Sequence, residues 1–117
     1  MIQSAGDGTM NKRRRGRYWV DTCYGLSPEL TASIIALAQK HDLDRLILFG
    51  SRARGDYRPR SDVDLAALGG DISRFALDVD EQTPTLLMFD VVDLGRDVQP
   101  ELLLEIERDG IVLYEKA

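Results

Sequence analysis

The chain has 117 residues, 44% of them hydrophobic and 30% charged, with a formal net charge of −5 at neutral pH. This is the make-up of one globular domain with one core; it leaves too little length for two ordinary domains, and no apolar run approaches the roughly 18 residues of a bilayer span. A single cysteine, Cys23, excludes an internal disulfide framework and a cysteine-based zinc site.

Residues 1–25 read as a basic, poorly ordered extension, and residues 26–117 as the domain. Within residues 1–24, five cations (Lys12, Arg13, Arg14, Arg15, Arg17) face two aspartates, giving +3, so the remainder carries −8. An acidic body is a poor nucleic-acid binder, because that affinity comes largely from neutralising phosphates. No direct nucleic-acid contact is expected. The N-terminus lacks the apolar core of a secretion signal, so the expectation is a cytoplasmic protein with no membrane association.

Ser27 suits a helix N-cap, with Pro28 at the first position and Glu29 in the first turn. Leu30, Ile34 and Leu37 then make one apolar face, and the helix should end near Lys40-His41. His41, the only histidine, is expected to cap that helix end. Leu46–Phe49 is a short apolar strand, and Val63–Leu68 a second, closed by Gly69-Gly70. Asp71 should cap a helix carrying Ile72, Phe75 and Val79. The Asp78-Val79-Asp80 pair near its end reads as solvated surface. Thr85–Leu94 is expected as a third strand, and Pro100–Arg108 as a helix with a Leu102/Leu103/Ile106 face. Gly110 stops that helix in the C′ role, before a last strand at Ile111–Tyr114. Strands alternating with helices argue for an α/β (α+β) layered domain.

The stretch from Gly50 to Asp64 carries the chemistry. A Gly-Ser turn follows the first strand, and four arginines (Arg52, Arg54, Arg58, Arg60) lead to Asp62-Val63-Asp64. Glycine at a strand end serves a turn of positive φ; lacking Cβ, it also lets phosphate oxygens reach backbone amides, and Ser51 adds a hydroxyl. Asp56-Tyr57 stand where a Walker A loop needs Lys and Ser/Thr, so this is not a P-loop. Residues two apart on a strand share a side, so Asp62 and Asp64 present paired carboxylates suited to a hard divalent cation. Asp90 and Asp93 lie within an apolar strand, where a carboxylate is costly unless paired or metal-bound. Three apart, they point to opposite sides; Asp90 is the candidate partner, and Asp93 belongs to the far face or the next turn. Arg52 and Arg54 have alternate positions beside the turn, placed to meet a triphosphate with forked donors.

With these residues in place, the chain resembles the minimal nucleotidyltransferases (MNT) of the DNA polymerase β-like superfamily. Their signature, Gly-Ser, ten residues, then Asp-x-Asp, stands here as Gly50-Ser51, residues 52–61 and Asp62-Val63-Asp64. Phe89-Asp90-Val91 is similar to the segment bearing the third carboxylate. The resemblance covers roughly Leu26 to Tyr114. It implies a mixed β-sheet flanked by helices and two Mg²⁺ ions held by Asp62, Asp64 and Asp90. It also implies ATP as substrate, with Gly50, Ser51, Arg52 and Arg54 as nucleotide-binding residues. Stand-alone domains of this size resemble the antitoxin half of HEPN–MNT pairs, in which AMP passes from ATP to a tyrosine hydroxyl of a HEPN-type toxin protein. Two other functions stay open: a small-molecule (aminoglycoside-type) nucleotidyltransferase, and a non-catalytic toxin-binding antitoxin.

Overall fold

The computed structural model describes residues 24–117; the basic head, with Trp19 and Cys23, lies outside the described residues. Four helices and four strands follow in order: α1 (Pro28–Lys40), β1 (Arg45–Phe49), α2 (Ser51–Arg54), β2 (Val63–Leu68), α3 (Ile72–Gln82), β3 (Phe89–Asp93), α4 (Pro100–Asp109) and β4 (Ile111–Glu115). The strands form one mixed sheet in the order β3-β2-β1-β4. β1 runs antiparallel to both β2 and β4, whereas β2 and β3 are parallel.

Two apolar layers account for this arrangement. Successive strand side chains alternate between sheet faces. Leu46, Leu48, Val63, Leu65 and Ala67 therefore join Leu30, Ile34 and Leu37 of α1 and Phe75 and Val79 of α3 in the main core. The intervening Phe49 and Ala66, with half-buried Ile47 and Val92, pack against Leu102 and Ile106 of α4 on the other face. Because both faces are covered, β2 is apolar at nearly every position after Asp64.

Local signals in the sequence set the helix starts. The Ser27 hydroxyl accepts from Leu30 N at 3.0 Å, with Pro28 in the first turn. Asp71 accepts from Arg74 N at 3.2 Å at the head of α3. His41 closes α1, as expected, and also reaches α3. Its Nε2 lies 2.7 Å from Asp78 Oδ2, and since a carboxylate only accepts, the ring nitrogen donates. That bond holds the Asp78 carboxyl below its usual range, with Lys40 adding at 3.6 Å. Asp78 is thus an interhelical tie rather than free surface; Asp80 is exposed.

The structure departs from expectation at four places. The third strand begins at Phe89, not Thr85, because pairing with β2 opens at Val63↔Phe89 and the earlier residues have no strand beside them. Ser51–Arg54 coils into a single helical turn, packed around the buried Arg52. Leu103 is 43% exposed, since Leu102 and Ile106, four apart, already define the inward stripe of α4. Gly110 ends α4 with φ −65°, not in the left-handed region. Space explains it instead: an added Cβ would collide with the Ile106 carbonyl oxygen and sit 2.7 Å from Ile47 Cγ2. Gly110→Ala should therefore cost about 1–3 kcal/mol by overpacking, read as a fall in denaturation midpoint with unchanged m-value.

Candidate active site

Chain direction gathers the site at one end of the sheet. Because β1 is antiparallel to β2, the end of β1 lies beside the start of β2; because β2 and β3 are parallel, their starts adjoin. The register is Phe49↔Asp64 on one side and Asp64↔Asp90 on the other. Adjacent strands lie about 4.8 Å apart. Asp64 and Asp90 are thus cross-strand neighbours on the α4 face, and Asp62, two residues before Asp64, sits at the same end. Asp93 does what its position in the chain allowed: its Oδ1 accepts from Gly95 N at 2.8 Å and its Oδ2 pairs with Arg96 at 3.3 Å, closing the turn after β3.

Asp64 is the tightest point. It is partly buried, whereas Asp62 and Asp90 are exposed. Burial pushes its carboxyl pKa up, and the nearby charges of Asp90, Asp62 and Glu105 push it further; Arg54 opposes them. Gly50 leans directly on this carboxylate. Its φ is +78°, and a Cβ there would overlap Asp64 Oδ2. A glycine is required on both counts.

The acids fit a hard cation in chemistry, though not as a closed cage. Among the described residues no three His, Cys, Asp or Glu side chains are drawn together tightly enough to hold an ion alone. Mg²⁺ binds through one or two carboxylates plus substrate phosphates rather than through an all-protein cage. A carboxylate disfavoured by two like-charged neighbours is where a divalent ion gains most.

The basic residues behave differently from one another. Ser51 is half-exposed at the head of α2, and its hydroxyl makes no hydrogen bond among the described residues. Arg54 is shared between Asp56 and Glu105, both at 3.3 Å, with Asp109 at 4.0 Å. Its hydrogen bond to Asp56 leads the effects that raise its pKa. Arg52 does not face a ligand at all. It is 1% exposed, and its guanidinium donates to the carbonyls of Tyr24, Pro59 and Ser61. The expectation that Arg52 meets a triphosphate is corrected accordingly: its donors are already engaged by backbone.

Glu105, Tyr57 and Ser61 escaped the sequence reading. Glu105 stands 41 residues from Asp64 on a helix whose register against the sheet no local pattern reveals. Tyr57 and Ser61 matter only as partners of Arg52, a role that burial alone discloses.

The fold thus sets a Gly-Ser bend and two cross-strand acids at one end of a mixed sheet flanked by helices. The chain belongs to the family described as Polymerase beta, Nucleotidyltransferase, which matches residues 32–117. It is a nucleotidyltransferase of that fold. Among solved structures it is similar to a toxin–antitoxin complex crystallised with AMP-PNP, with a TM-score of 0.61 and 24% identity over 74% of this chain and 73% of that one. At that identity the likeness speaks to the fold alone. An MntA-HpeT toxin–antitoxin mutant aligns with a TM-score of 0.58 and 25% identity, over 73% and 72% of the two chains. A structure assigned as a minimal nucleotidyltransferase gives 0.55 and 28%, over 69% and 86%. No curated protein matches the chain. Among the described residues no helix is long and apolar enough to cross a membrane.

Two outcomes follow from Asp64. Its pKa is raised on folding, so the folded protein binds protons more readily than the unfolded chain; stability is then greatest below the ordinary aspartate pKa and falls as pH rises through the folded value. Metal-free Asp64→Asn should accordingly melt a few degrees above wild type at neutral pH, with the gap closing in acid, by calorimetry. Gly50→Ala should lose about 1–3 kcal/mol or more, from strained φ together with the collision at Asp64.

Proposed function

We propose that the protein is a Mg²⁺-dependent adenylyltransferase that moves AMP from ATP to a tyrosine hydroxyl on a HEPN-type toxin and so neutralises it. The observation that carries this reading is the Phe49↔Asp64↔Asp90 register, with two acids on adjacent strands at the end where Gly50 bends over Asp64. The toxin–antitoxin neighbour at 25% identity supports a toxin as the partner.

In this reading the hydroxyl oxygen attacks the α-phosphorus, the bond to the α,β-bridging oxygen breaks, and pyrophosphate departs. Asp90, exposed at the start of an edge strand, takes the hydroxyl proton. Asp62 and Asp64, with Asp90, would hold Mg²⁺, which when bound neutralises triphosphate charge and lowers the pKa of the attacking hydroxyl. Gly50 gives the β- and γ-phosphates access to backbone amides, and Ser51 offers a half-exposed hydroxyl. Arg54 keeps a charge-assisted role in reach of the same end, provided Glu105 and Asp56 share it.

A protein acceptor is supported by the surface leading to Asp90. Leu86 is fully exposed and Met88 is 66% exposed, while Leu87 and Phe89 turn into the core. Leu86 and Met88 are thus turned outward in the segment that leads into exposed Asp90. Large apolar side chains beside a reactive acid suit a docking protein surface.

The test is α-labelled ATP and Mg²⁺ incubated with this protein and the product of the gene adjacent to its own, the expected toxin. Label should appear on a toxin tyrosine, and Asp90→Asn should slow transfer by about 10²–10⁴-fold. Label on an aminoglycoside instead, or tight toxin binding with no label, would replace this reading with another. Separately, the Leu86→Glu/Met88→Glu double variant should raise the KM for toxin about tenfold or more while leaving ATP affinity unchanged, measured by initial rates.

A further inference from the structure

The three acids are not held alike. Asp64 and Asp90 lie within strands and have fixed cross-strand neighbours, whereas Asp62 precedes β2 by one residue. On its far side Val63 N donates to Met88 O at 2.9 Å, which anchors that end to the sheet. The near side hangs on a loop, residues 55–61, and one side chain secures it. Arg52 donates to the Ser61 carbonyl twice, from Nε at 3.2 Å and Nη2 at 2.9 Å. Nη2 also reaches Pro59 O at 3.2 Å, and Nη1 reaches Tyr24 O at 3.0 Å. The Tyr57 ring covers the guanidinium, with its centroid 5.0 Å away. Within the loop, Arg58 N donates to Ser61 Oγ at 2.8 Å and Ser61 N to Arg58 O at 3.0 Å, so the turn moves as a unit.

We propose that Arg52 is a positioning residue for Asp62: by fixing the Ser61 carbonyl it fixes the planar Ser61–Asp62 peptide, and with it the direction in which the Asp62 carboxylate leaves the chain. The proposal rests on the reading of Asp62 as a metal-holding acid. Among the described residues no carboxylate pairs with Arg52; carbonyl dipoles and an aromatic face compensate its buried charge. Its planar fork makes four hydrogen bonds to three carbonyls and grips Ser61 O from two nitrogens at once, a hold that the three donors on the single nitrogen of a lysine do not reproduce. The arrangement braces the one acid that the sheet leaves without a neighbour.

Mn²⁺ substitutes for Mg²⁺ at oxygen sites, so its binding can be followed by electron paramagnetic resonance in the presence of a non-hydrolysable ATP analogue, below the melting temperature of each variant. Arg52→Lys should weaken Mn²⁺ binding about tenfold or more in the wild-type background and by less than about twofold in Asp62→Asn, since the two residues then act as one unit. Tyr57→Leu, which loosens the brace without uncovering an unpaired donor, should show a smaller loss with the same dependence on Asp62. It serves as the readout should Arg52→Lys not fold. Equal weakening in both backgrounds, or none in either, would assign Arg52 to the scaffold alone and overturn the proposal. If the wild type binds no Mn²⁺ with the analogue, the reading of the acids themselves falls, and this proposal with it.

Discussion

Gly50 and Asp64 touch where the first strand ends and the second begins, and the rest of the site is arranged around that contact. A carboxylate is half-removed from water there, beside a second acid on the next strand and a third two residues upstream. Nothing in the apolar layers favours such a placement. It is tolerated because Gly50 supplies both the positive φ and the missing Cβ that let the backbone bend over the acid. One glycine thus lets the end of β1 pack directly against the acid that opens β2.

Topology supplies the convergence that no single segment contains. An antiparallel step from β1 to β2 and a parallel step from β2 to β3 bring one strand end and two strand starts to the same edge of the sheet. α4 closes the face behind them with Leu102 and Ile106, and its Glu105 enters the electrostatics of Asp64 from outside the signature stretch. The acidic end is consequently backed by a packed sheet, with Asp62 and Asp90 exposed among the described residues.

The arginines of the signature divide by solvent. Arg54 stays at the surface, within reach of Asp56, Glu105 and Asp109, and can exchange partners. Arg52 is sealed under Tyr57 and bound to carbonyls, so its charge acts inside the scaffold rather than on substrate. Two residues apart in the same motif, they have opposite environments because α2 is a single helical turn, which rotates one toward the loop and the other toward α4.

Apart from the single turn α2, sequence alone determined the element order, the caps at Ser27 and Asp71, the extent of β2 and the signature that names the family, because these depend on local periodicity and on side chains bonding to backbone a few residues away. It also set Asp93 apart from Asp90, since strand geometry repeats every two residues. Only the tertiary structure decided that β3 starts at Phe89, that Asp78 ties α3 to His41, that Leu103 faces out and that Gly110 is demanded by space rather than by φ. It alone put Arg52 inside and brought Glu105 to Asp64. Each of these is set by a neighbour distant in sequence, and burial, which determines whether a charged side chain meets solvent or backbone, is a property of the packed sheet and not of any stretch of chain.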